Sequence, residues 1–317
     1  MIAGLRAEKR PRIMVVGSSN TDMVVKMDRL PHRGETVLGG RFITVPGGKG
    51  ANQAVAAARL GASVTFVGRL GMDGLGDSAL ANLEAEGIDT RCVVRDVDEA
   101  SGVALILVDA CGENIIAVAS GANSRLAPAD VEAASDVVSE CSALLLQLET
   151  PLDTVEYAAR LARERGVDVI LNSAPMPPDG LPRHLLELVD VIVPNESETR
   201  TLLGLDPGAE IDECAARELP LMGIERAVIT LGSRGAMVLT DGMIEIVPAP
   251  VVEAADATAA GDAFTGALAV GLSSGMDLVA AAGLAVKAAS LSVTRIGAQS
   301  SLPTAEELAR FRPEYRA

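Results

Sequence analysis

The feature that most constrains the fold is a regular alternation of short apolar runs with longer stretches of helical periodicity. The intervening stretches are rich in Ala and Leu. The strand-like runs are Ile13–Val16, Val64–Val67, Ala143–Leu148, Val167–Leu171, Val189–Val193 and Ala227–Leu231. Strands that alternate with helices build βαβ units around a parallel sheet. The alternation therefore predicts an α/β fold.

Two pairs of apolar runs interrupt this pattern, because no helical stretch lies between their members. They are Met23–Met27 with Thr36–Val45, and Val103–Val108 with Ile115–Ala119. We interpret them as hairpins of a small β appendage, which serves as a lid or as a dimer surface.

A third hairpin is predicted near the carboxyl end. It joins Ala236–Thr240 to Met243–Val247 through Asp241-Gly242, a strong two-residue turn signal. Helical stretches follow at about Gly261–Leu272 and Leu278–Val293. Since no low-complexity linker or repeat divides the chain, we expect one domain over residues 1–317, with lid strands within 22–46 and 102–119.

Composition and charge exclude several classes of partner. Of 317 residues 49% are hydrophobic but only 2% aromatic, so the base-stacking platforms of single-strand nucleic-acid binders are missing. A net charge of −16 repels nucleic acids and anionic membranes. The four cysteines form no CxxC pair, and the run Ile13–Val16 is too short for a signal peptide or a membrane span. These features predict a cytoplasmic protein that binds neither nucleic acid nor membrane.

Two histidines in the whole chain give little support to a His-based triad or a His-rich metal site. The most informative stretch is instead Asp256-Ala257-Thr258-Ala259-Ala260-Gly261-Asp262, at the start of an alanine-rich helix. Small residues there let backbone N–H groups approach a phosphate, and Asp262 could accept a proton from an attacking hydroxyl. From this stretch alone, Asp262 could equally complement the helix dipole.

Two further stretches carry polar groups suited to a sugar. Gly47-Gly48-Lys49-Gly50-Ala51-Asn52-Gln53 leads into a helix and offers donors among glycines, although the GxxxxGK[ST] spacing of a P-loop is absent. Gly17-Ser18-Ser19-Asn20-Thr21-Asp22 follows the first strand, where ligands of parallel sheets gather. A flexible turn and an Asx turn are the structural alternatives.

Three more segments are candidate nucleotide or metal sites. Pro194-Asn195-Glu196-Ser197-Glu198 could organise Mg²⁺ through waters, or Asn195 could be a helix N-cap. Thr230-Leu231-Gly232-Ser233-Arg234-Gly235 is a glycine-bounded turn that could contact a nucleotide or be a plain loop. Gly74-Leu75-Gly76-Asp77-Ser78-Ala79 matches a relaxed dinucleotide fingerprint, but we place it several residues beyond its strand and expect no nicotinamide there.

These stretches together resemble the signatures of the PfkB carbohydrate kinases. The resemblance rests on Gly47–Gly61, on the NxxE pattern of Asn195–Glu198 and on Asp256–Asp262, which is near DTxAAGD. Similar segments occur in the same order along nearly the whole chain: Ser101–Leu107, Gly112–Ile116, Gly121–Asn123, Leu146–Glu149, Ile229–Gly235 and Thr294–Gln299.

The resemblance implies a three-layer α/β/α sandwich with a mostly parallel central sheet and a small β lid that also forms a homodimer contact. It implies transfer of the γ-phosphoryl group of ATP to O5 of D-ribose, with Mg²⁺ and an activating monovalent cation, K⁺. The alternatives are a kinase for deoxyribose, fructose or a nucleoside, or an inactive sugar-binding regulator.

The resemblance also implies roles for individual residues. Asp262 would be the base, with Gly261 in an anion hole at Ala259–Asp262. The sugar would be bound by Asn20, Asp22, Gly48, Lys49, Gly50, Asn52, Glu149 and Asp262. The nucleotide would contact Asn195, Thr230, Gly232, Ser233, Gly235 and Gly261. The monovalent cation would be held by Asp256, Thr258, Ser292, Arg295, Gly297 and Ser301, and Mg²⁺ by Glu198 through water.

The sequence departs from the family pattern at a few positions. Ala257 stands where a Thr is usual, so a hydroxyl is lost beside the cation and nucleotide loops. Val286 stands where a His near the adenine is frequent, and Ser173 and Met176 alter an NPAPA-like segment. We expect the first to bear on cation activation and the second on nucleotide preference.

Overall fold

The computed structural model describes residues 10–315, so residues 1–9 and 316–317 of the expected domain lie outside the described residues. The strands are β1 (Arg12–Val16), β2 (Asn20–Lys26), β3 (Arg41–Gly47), β4 (Ser63–Gly71), β5 (Asp89–Asp96), β6 (Gly102–Val108), β7 (Asn114–Ala119), β8 (Ala143–Leu146), β9 (Asp168–Asn172), β10 (Val191–Val193), β11 (Ala227–Thr230), β12 (Ala236–Thr240) and β13 (Met243–Val247). The helices are α1 (Lys49–Arg59), α2 (Gly74–Ala85), α3 (Pro128–Glu132), α4 (Ser135–Val138), α5 (Leu152–Glu164), α6 (Arg183–Leu186), α7 (Glu196–Leu203), α8 (Glu213–Ala216), α9 (Ala260–Ser273), α10 (Leu278–Ser292) and α11 (Ala305–Arg310).

The larger sheet has the strand order β13-β12-β11-β10-β9-β8-β1-β4-β5. Its strands from β11 to β5 are parallel, and β12 and β13 add an antiparallel hairpin at one edge. β1 lies near the centre, and its run from Ile13 to Val16 is fully buried. Burial on both faces explains why its apolar residues are continuous rather than alternating.

Helices cover both faces of this sheet, as two separate apolar cores demonstrate. Ile13 and Val15 of β1 pack with residues of α1, α2, α9, α10 and α11. Met14 and Val16 point to the opposite face and pack with residues of α3 to α8. Because successive strand side chains alternate between faces, one strand serves both cores. The expected three-layer α/β/α sandwich is confirmed.

The smaller sheet, called the lid sheet below, has the order β3-β2-β6-β7. β2 pairs with β3 and β6 with β7 as antiparallel hairpins, and β2 pairs with β6 in parallel. The predicted strand at Thr36–Val45 was wrong at its start, because β3 begins at Arg41. Gly39 and Gly40 adopt φ values of 103° and 102°, which interrupt an extended strand before that residue.

One strand of the larger sheet, β5, was absent from the sequence prediction. Its sequence, DTRCVVRD, carries charged residues at both ends and a short apolar centre, and it forms the edge beside β4. Between residues 10 and 315, no helix combines the length and the apolar character needed to cross a membrane.

Candidate active site

The polar segments singled out in the sequence meet at the carboxyl ends of the central strands. The connection after β1 touches the start of α1, since the Ala51 N–H donates to the Ser18 carbonyl at 2.8 Å. α1 in turn touches the start of α9 through side chains. This edge of a parallel sheet is where α/β proteins bind ligands.

Asp262 lies in the first turn of α9 and is only 5% exposed. Asn52 Nδ2 donates to its Oδ2 at 2.9 Å, and Gln53 Nε2 donates to its Oδ1 at 3.0 Å. Each carboxylate oxygen therefore receives one amide hydrogen bond and keeps a free lone pair. Such a group can accept a proton from a hydroxyl that approaches it.

The pKa of Asp262 is raised, chiefly because burial disfavours the charged form. The positive charge of Lys49 and the amides of Asn52 and Gln53 oppose this effect, while the negative charge of Glu149 adds to it. The raised pKa makes this carboxylate a stronger base than an exposed aspartate, and the donors at both oxygens favour its charged form.

The amino terminus of α9 forms one wall of a cavity of about 380 Å³. Ala259, at φ 59°, lies in the left-handed region, and within residues 10–315 no side chain caps this helix. Ala260 and Gly261 line the cavity, and a Cβ built on Gly261 would meet no described atom within 4 Å. Uncapped N–H groups at a helix start attract anions such as phosphate.

The other walls of this cavity come from the segment after β11 and from apolar side chains. Thr230, Gly232, Ser233 and Gly235 line it on one side. Phe264 and Val286 lie among its apolar lining, and Ala257 also contributes to it. The cavity therefore combines an anion-binding end with an apolar region, which suits a nucleotide.

The start of α1 requires glycine for two physical reasons. Gly48 adopts φ 88°, and a Cβ there would lie 2.6 Å from the backbone nitrogen of Asn20. A Cβ on Gly50 would lie 2.6 Å from the nitrogen of Ser18. Any residue other than glycine carries a Cβ. The segment after β1 and the start of α1 can therefore approach this closely only with glycine at both positions.

Glu149 joins these two connections to the end of the segment after β8. Its Oε2 accepts hydrogen bonds from Ser18 Oγ at 2.5 Å and from the Lys49 backbone N–H at 3.0 Å. The carboxylate thus occupies the N–H of the first residue of α1. It lies close enough to Asp22 and Asp262 to raise the pKa of both.

Asn20 and Asp22 lie at the start of β2 and are nearly buried. Asn123 accepts from the Ser19 N–H at 2.9 Å and donates to Asn20 Oδ1 at 2.8 Å, which orients the Asn20 amide. Burial first, and then the charges of Glu149 and Asp262, raise the pKa of Asp22 to about 6. Three carboxylates therefore surround a small region beside Lys49.

A second cavity, of about 350 Å³, lies on the lid side of these groups. It is lined by Asn20, Asn123, Glu149, Thr150 and Val118 of the lid sheet, among others. Thr150 Oγ1, in this lining, and Asn52 Oδ1, in the first turn of α1, are buried and have no hydrogen-bond partner among residues 10–315. A ligand rich in hydroxyls would supply the hydrogen bonds that such atoms require.

Asn195 is the N-cap of α7, so the helix-cap alternative holds for its Oδ1. That oxygen accepts from the Glu198 N–H at 2.9 Å, and Glu198 Oε2 accepts in return from the Asn195 N–H at 2.9 Å. Glu198 Oε2 also accepts from Ser173 Oγ at 3.0 Å, and its Oε1 from Asn195 Nδ2 at 2.9 Å. Ser173 thus has a defined partner in this buried group.

The expected cation residues fall into two groups. Asp256 binds Thr258 and Gly297 directly, since its Oδ1 accepts from the Thr258 N–H and hydroxyl and its Oδ2 from the Gly297 N–H. Although burial favours its neutral form, these hydrogen bonds hold the pKa of Asp256 below the usual value.

The remaining three cation residues engage their side chains elsewhere. The hydroxyls of Ser292 and Ser301 donate to carbonyls three residues earlier, and the Arg295 guanidinium pairs with Glu307 at 2.8 Å. The Ser292 carbonyl also accepts from the Arg295 N–H at 3.0 Å. In the described part of the chain, no cluster of three or more His, Cys, Asp or Glu residues could hold a metal. Carbonyl and hydroxyl oxygens around one carboxylate fit a hard cation of low charge.

Several residues of this site were not singled out from the sequence. Ser18 and Asn123 contact predicted site residues. Gln53 binds Asp262 directly, and Gln147 and Asn172 bind Gln53. Gln53 and Ser18 lie inside the stretches that the sequence identified, next to polar residues. Gln147 and Asn172 carry no local signal, except that each ends a strand-like run.

The glycine motif at Gly74 lies nearer to its strand than expected. β4 extends to Gly71, so the motif does open a helix just after a strand, and our sequence premise was wrong. Asp73 nevertheless caps this helix, since its carboxylate accepts from the Gly76 N–H at 2.7 Å and from Ser101. A carboxylate in that position repels a pyrophosphate, which is a reason against a dinucleotide here that the sequence did not supply.

Comparisons with known proteins agree with this arrangement of fold and site. The family model described as pfkB family carbohydrate kinase matches residues 10–305. The ribokinase of Haemophilus influenzae is 41% identical over 303 residues, which cover 95% of this chain and 98% of that protein. The deoxyribokinase of Salmonella typhi is 38% identical over 301 residues, 94% of this chain and 98% of its own. A structure of Arabidopsis thaliana ribokinase complexed with ribose and ATP superimposes with a TM-score of 0.85 at 32% identity, covering 96% and 100% of the two chains.

Proposed function

Because the chain belongs to the pfkB family of carbohydrate kinases, we propose that it transfers the γ-phosphoryl group of ATP to O5 of D-ribose. The observation that carries the proposal is the position of Asp262. Its buried carboxylate lies beside the polar groups of Asn52, Lys49 and Glu149, at the start of α9, whose residues line the cavity of about 380 Å³. An acceptor hydroxyl and a phosphate could therefore meet at this carboxylate.

In the proposed reaction, Asp262 takes the proton of the sugar O5 hydroxyl as that oxygen attacks the γ-phosphorus. The new O–P bond forms while the bond from the γ-phosphorus to the β,γ-bridging oxygen breaks, and ADP leaves with the electron pair. The backbone N–H groups of Ala259–Asp262, including that of Gly261, form the anion hole for the transferring group. The absence of a capping side chain at this helix end, within the described residues, supports that role.

We assign the sugar to the region between the Asp262 carboxylate and the second cavity, which Asn20 and Glu149 line. Asn20, Asp22, Lys49, Asn52 and Glu149 bind its hydroxyls, and the backbone at Gly48 and Gly50 permits its close approach. Carboxylates and amides are the groups that bind polyols, and the unpartnered Asn52 Oδ1 supports this assignment. Asp262 binds the reacting hydroxyl.

We assign the nucleotide to the cavity at the start of α9. Asn195, Thr230, Gly232, Ser233, Gly235 and Gly261 contact ATP, and five of these six line that cavity. The apolar Val286 borders the base, so nucleotide preference rests on shape more than on a hydrogen bond. Glu198, whose carboxylate oxygens accept from Ser173 and Asn195, would hold Mg²⁺ through water, and the ion would supply positive charge to the phosphates.

A monovalent cation, K⁺, is assigned to the loop fixed by Asp256. The carboxylate of this residue joins Thr258 to Gly297. The carbonyls of Ser292, Arg295, Gly297 and Ser301 would complete the oxygen set, and a bound cation would supply positive charge beside the anion hole. Since Ala257 contributes no hydroxyl here, we expect weaker cation activation than a threonine would give.

Two properties beyond the reaction belong to the same proposal. The lid sheet exposes Phe42, Leu105, Ile115 and Ile116, each at least half accessible, which supports a homodimer through this sheet. The four cysteines are free among the described residues, which supports a reducing, cytoplasmic location.

Deoxyribose is the second candidate substrate, because deoxyribokinases are nearly as similar to this chain as ribokinases are. The test is ATP turnover with ribose, deoxyribose, fructose and nucleosides, each with and without K⁺. We expect the highest kcat/KM for ribose. A preference of about tenfold or more for another sugar would overturn the ribose assignment, and sugar binding without turnover would indicate an inactive regulator.

A further inference from the structure

Three buried amides and one backbone carbonyl form a continuous hydrogen-bonded chain that ends on Asp262. Asn172 Nδ2 donates to the Val193 carbonyl at 3.1 Å, and Asn172 Oδ1 accepts from Gln53 Nε2 at 3.3 Å. Gln53 Nε2 also donates to Asp262 Oδ1 at 3.0 Å. Gln53 Oε1 accepts from Gln147 Nε2 at 2.8 Å. Gln53 and Gln147 have no accessible surface.

The orientation of each amide in this chain follows from the backbone carbonyl. A carbonyl accepts hydrogen bonds and donates none, so Asn172 must present its NH₂ group to Val193 and its oxygen to Gln53. Gln53 must then present its NH₂ group to Asn172, and the second hydrogen of that group points to Asp262. If Gln53 were flipped, its oxygen would face two other acceptors in a buried region, which is costly.

Gln147 holds the other end of the Gln53 amide. It donates to Gln53 Oε1, while its own Oε1 is buried without a partner among residues 10–315. A Cβ built on Gly17 would lie 1.9 Å from Gln147 Oε1, so the backbone after β1 is in close contact with this amide. A buried polar atom left unsatisfied carries a free-energy cost, so the position of Gln147 is maintained against that cost.

We infer that Gln53, held by Asn172 and Gln147, is a positioning residue that keeps the Asp262 carboxylate ionised and oriented for proton transfer. The inference rests on the proposed function, in which Asp262 is the base. Gln53 touches neither sugar nor nucleotide in that arrangement, because it is fully buried and all its polar atoms are engaged within the protein. Its effect on catalysis is exerted through Asp262.

The charges around Asp262 explain why such a donor is needed. Burial and the negative charge of Glu149 favour the protonated acid, and Asp22 adds a further carboxylate nearby. Lys49 and the amides of Asn52 and Gln53 favour the carboxylate. Removing the Gln53 donor therefore raises the pKa of Asp262 further and leaves Oδ1 without its fixed partner.

The test compares Gln53→Met, which conserves length but removes the donors, with Gln147→Met and with Thr154→Val. Thr154→Val is the matched control, because it removes another buried hydrogen bond, from Thr154 Oγ1 to the Leu126 carbonyl at 2.7 Å, on α5. Each purified full-length variant is measured for kcat and KM against pH with saturating ATP, Mg²⁺ and K⁺, and for thermal unfolding.

For Gln53→Met we expect the acid limb of the kcat profile to move up by about one pH unit. We expect kcat at pH 7 to fall about tenfold or more, and the sugar KM to change by less than about threefold. Gln147→Met moves the limb in the same direction by less, and Thr154→Val leaves it unchanged. A loss of stability alone would not move the limb.

A folded Gln53→Met enzyme with the wild-type acid limb and kcat would overturn the inference. If Gln53→Met does not fold, Gln147→Met decides: a shifted limb supports the inference, and an unshifted limb with normal kcat overturns it. Asp262→Asn, measured in parallel, distinguishes a failure of the proposed base from a failure of the positioning role of Gln53. If it retains turnover, the proposed base is wrong, whereas an inactive Asp262→Asn beside an unaffected Gln53→Met refutes the positioning role alone.

Discussion

Asn52 Nδ2 lies 2.9 Å from Asp262 Oδ2, although the two residues are 210 positions apart in the sequence. The contact joins the first turn of α1 to the first turn of α9. It brings the glycine-rich stretch and the Ala-Ala-Gly-Asp turn into one site, and thereby connects the groups assigned to the sugar with the helix start assigned to the phosphate.

Asp262→Asn should lower kcat by about two or more orders of magnitude, because an amide cannot take the hydroxyl proton. The sugar dissociation constant should change much less, since the shape of the side chain is kept. Asp277→Asn is the matched control, because Asp277 caps α10 and accepts from the Ala280 N–H away from the site. Turnover by Asp262→Asn within a few-fold of wild type would contradict the assignment of the base.

Sugar affinity should depend on pH through Asp22, whose pKa is raised to about 6. A group with a raised pKa is ionised above that value, so its hydrogen bonds to sugar hydroxyls are present above pH 6 and are lost as the pH falls through it. We expect the sugar KM to rise below about pH 6. Asp22→Asn should abolish this rise while increasing KM at pH 8, and a variant that kept the wild-type pH dependence would refute the assignment.

Gly48→Ala should destabilise the protein and weaken sugar binding together. The left-handed φ of 88° costs an L-residue about 1–2 kcal/mol, and the new Cβ would overlap the nitrogen of Asn20 at 2.6 Å. Gly87→Ala is the control, since its φ is 75° but a Cβ there meets no described atom within 4 Å. For the control, denaturant unfolding should show a loss of about 1 kcal/mol in the free energy of unfolding. Sugar titration of the control should show normal affinity. Equal effects of the two substitutions would contradict the steric explanation.

Asp256→Asn should weaken activation by K⁺, because its carboxylate holds Thr258 and Gly297 together and supplies the negative charge of the loop. The K⁺ concentration for half-maximal activity should rise about tenfold or more. Ala257→Thr should lower it, because a hydroxyl is restored beside the loop. Titration of activity with KCl at constant ionic strength measures both, and an unchanged half-maximal concentration in Asp256→Asn would exclude this loop as the cation site.

Charged substitutions on the lid sheet should dissociate the proposed dimer. The register pairs Leu105 with Ala117 and Ile106 with Ile116, so Leu105 and Ile116 point to opposite faces of the sheet. We expect the double variant Leu105→Glu/Ile116→Glu to be a monomer by light scattering, and the single variants to identify which face forms the contact. A double variant with the same mass in solution as wild type would exclude the lid sheet as the interface.

Much of the fold was predictable because local sequence carries it. β1 and β8 to β11 appear as short apolar runs, and α9 and α10 are predicted within one or two residues of their observed bounds. Strand β5 was missed because it lies at a sheet edge, where burial is partial and the apolar signal of Cys92 to Val94 is short. The start of β3 was misplaced because Gly39 and Gly40 interrupt a run that otherwise reads as a strand.

The candidate site likewise contains residues that a local motif indicates and residues that only the fold brings together. Asp262, Lys49, Asn52 and Gly48 were identified from the sequence, because small residues and polar groups at a helix start are visible in a short stretch. The sequence by itself thus determined the α/β class, the family and these local motifs. The contacts of Asp262 with α1, and those of Gln53 with Gln147 and Asn172, were decided by tertiary structure alone, since these side chains meet only when α1 packs on the sheet. The orientation of their amides, and the burial that raises the pKa of Asp262, depend on contacts between distant segments, which no local pattern encodes.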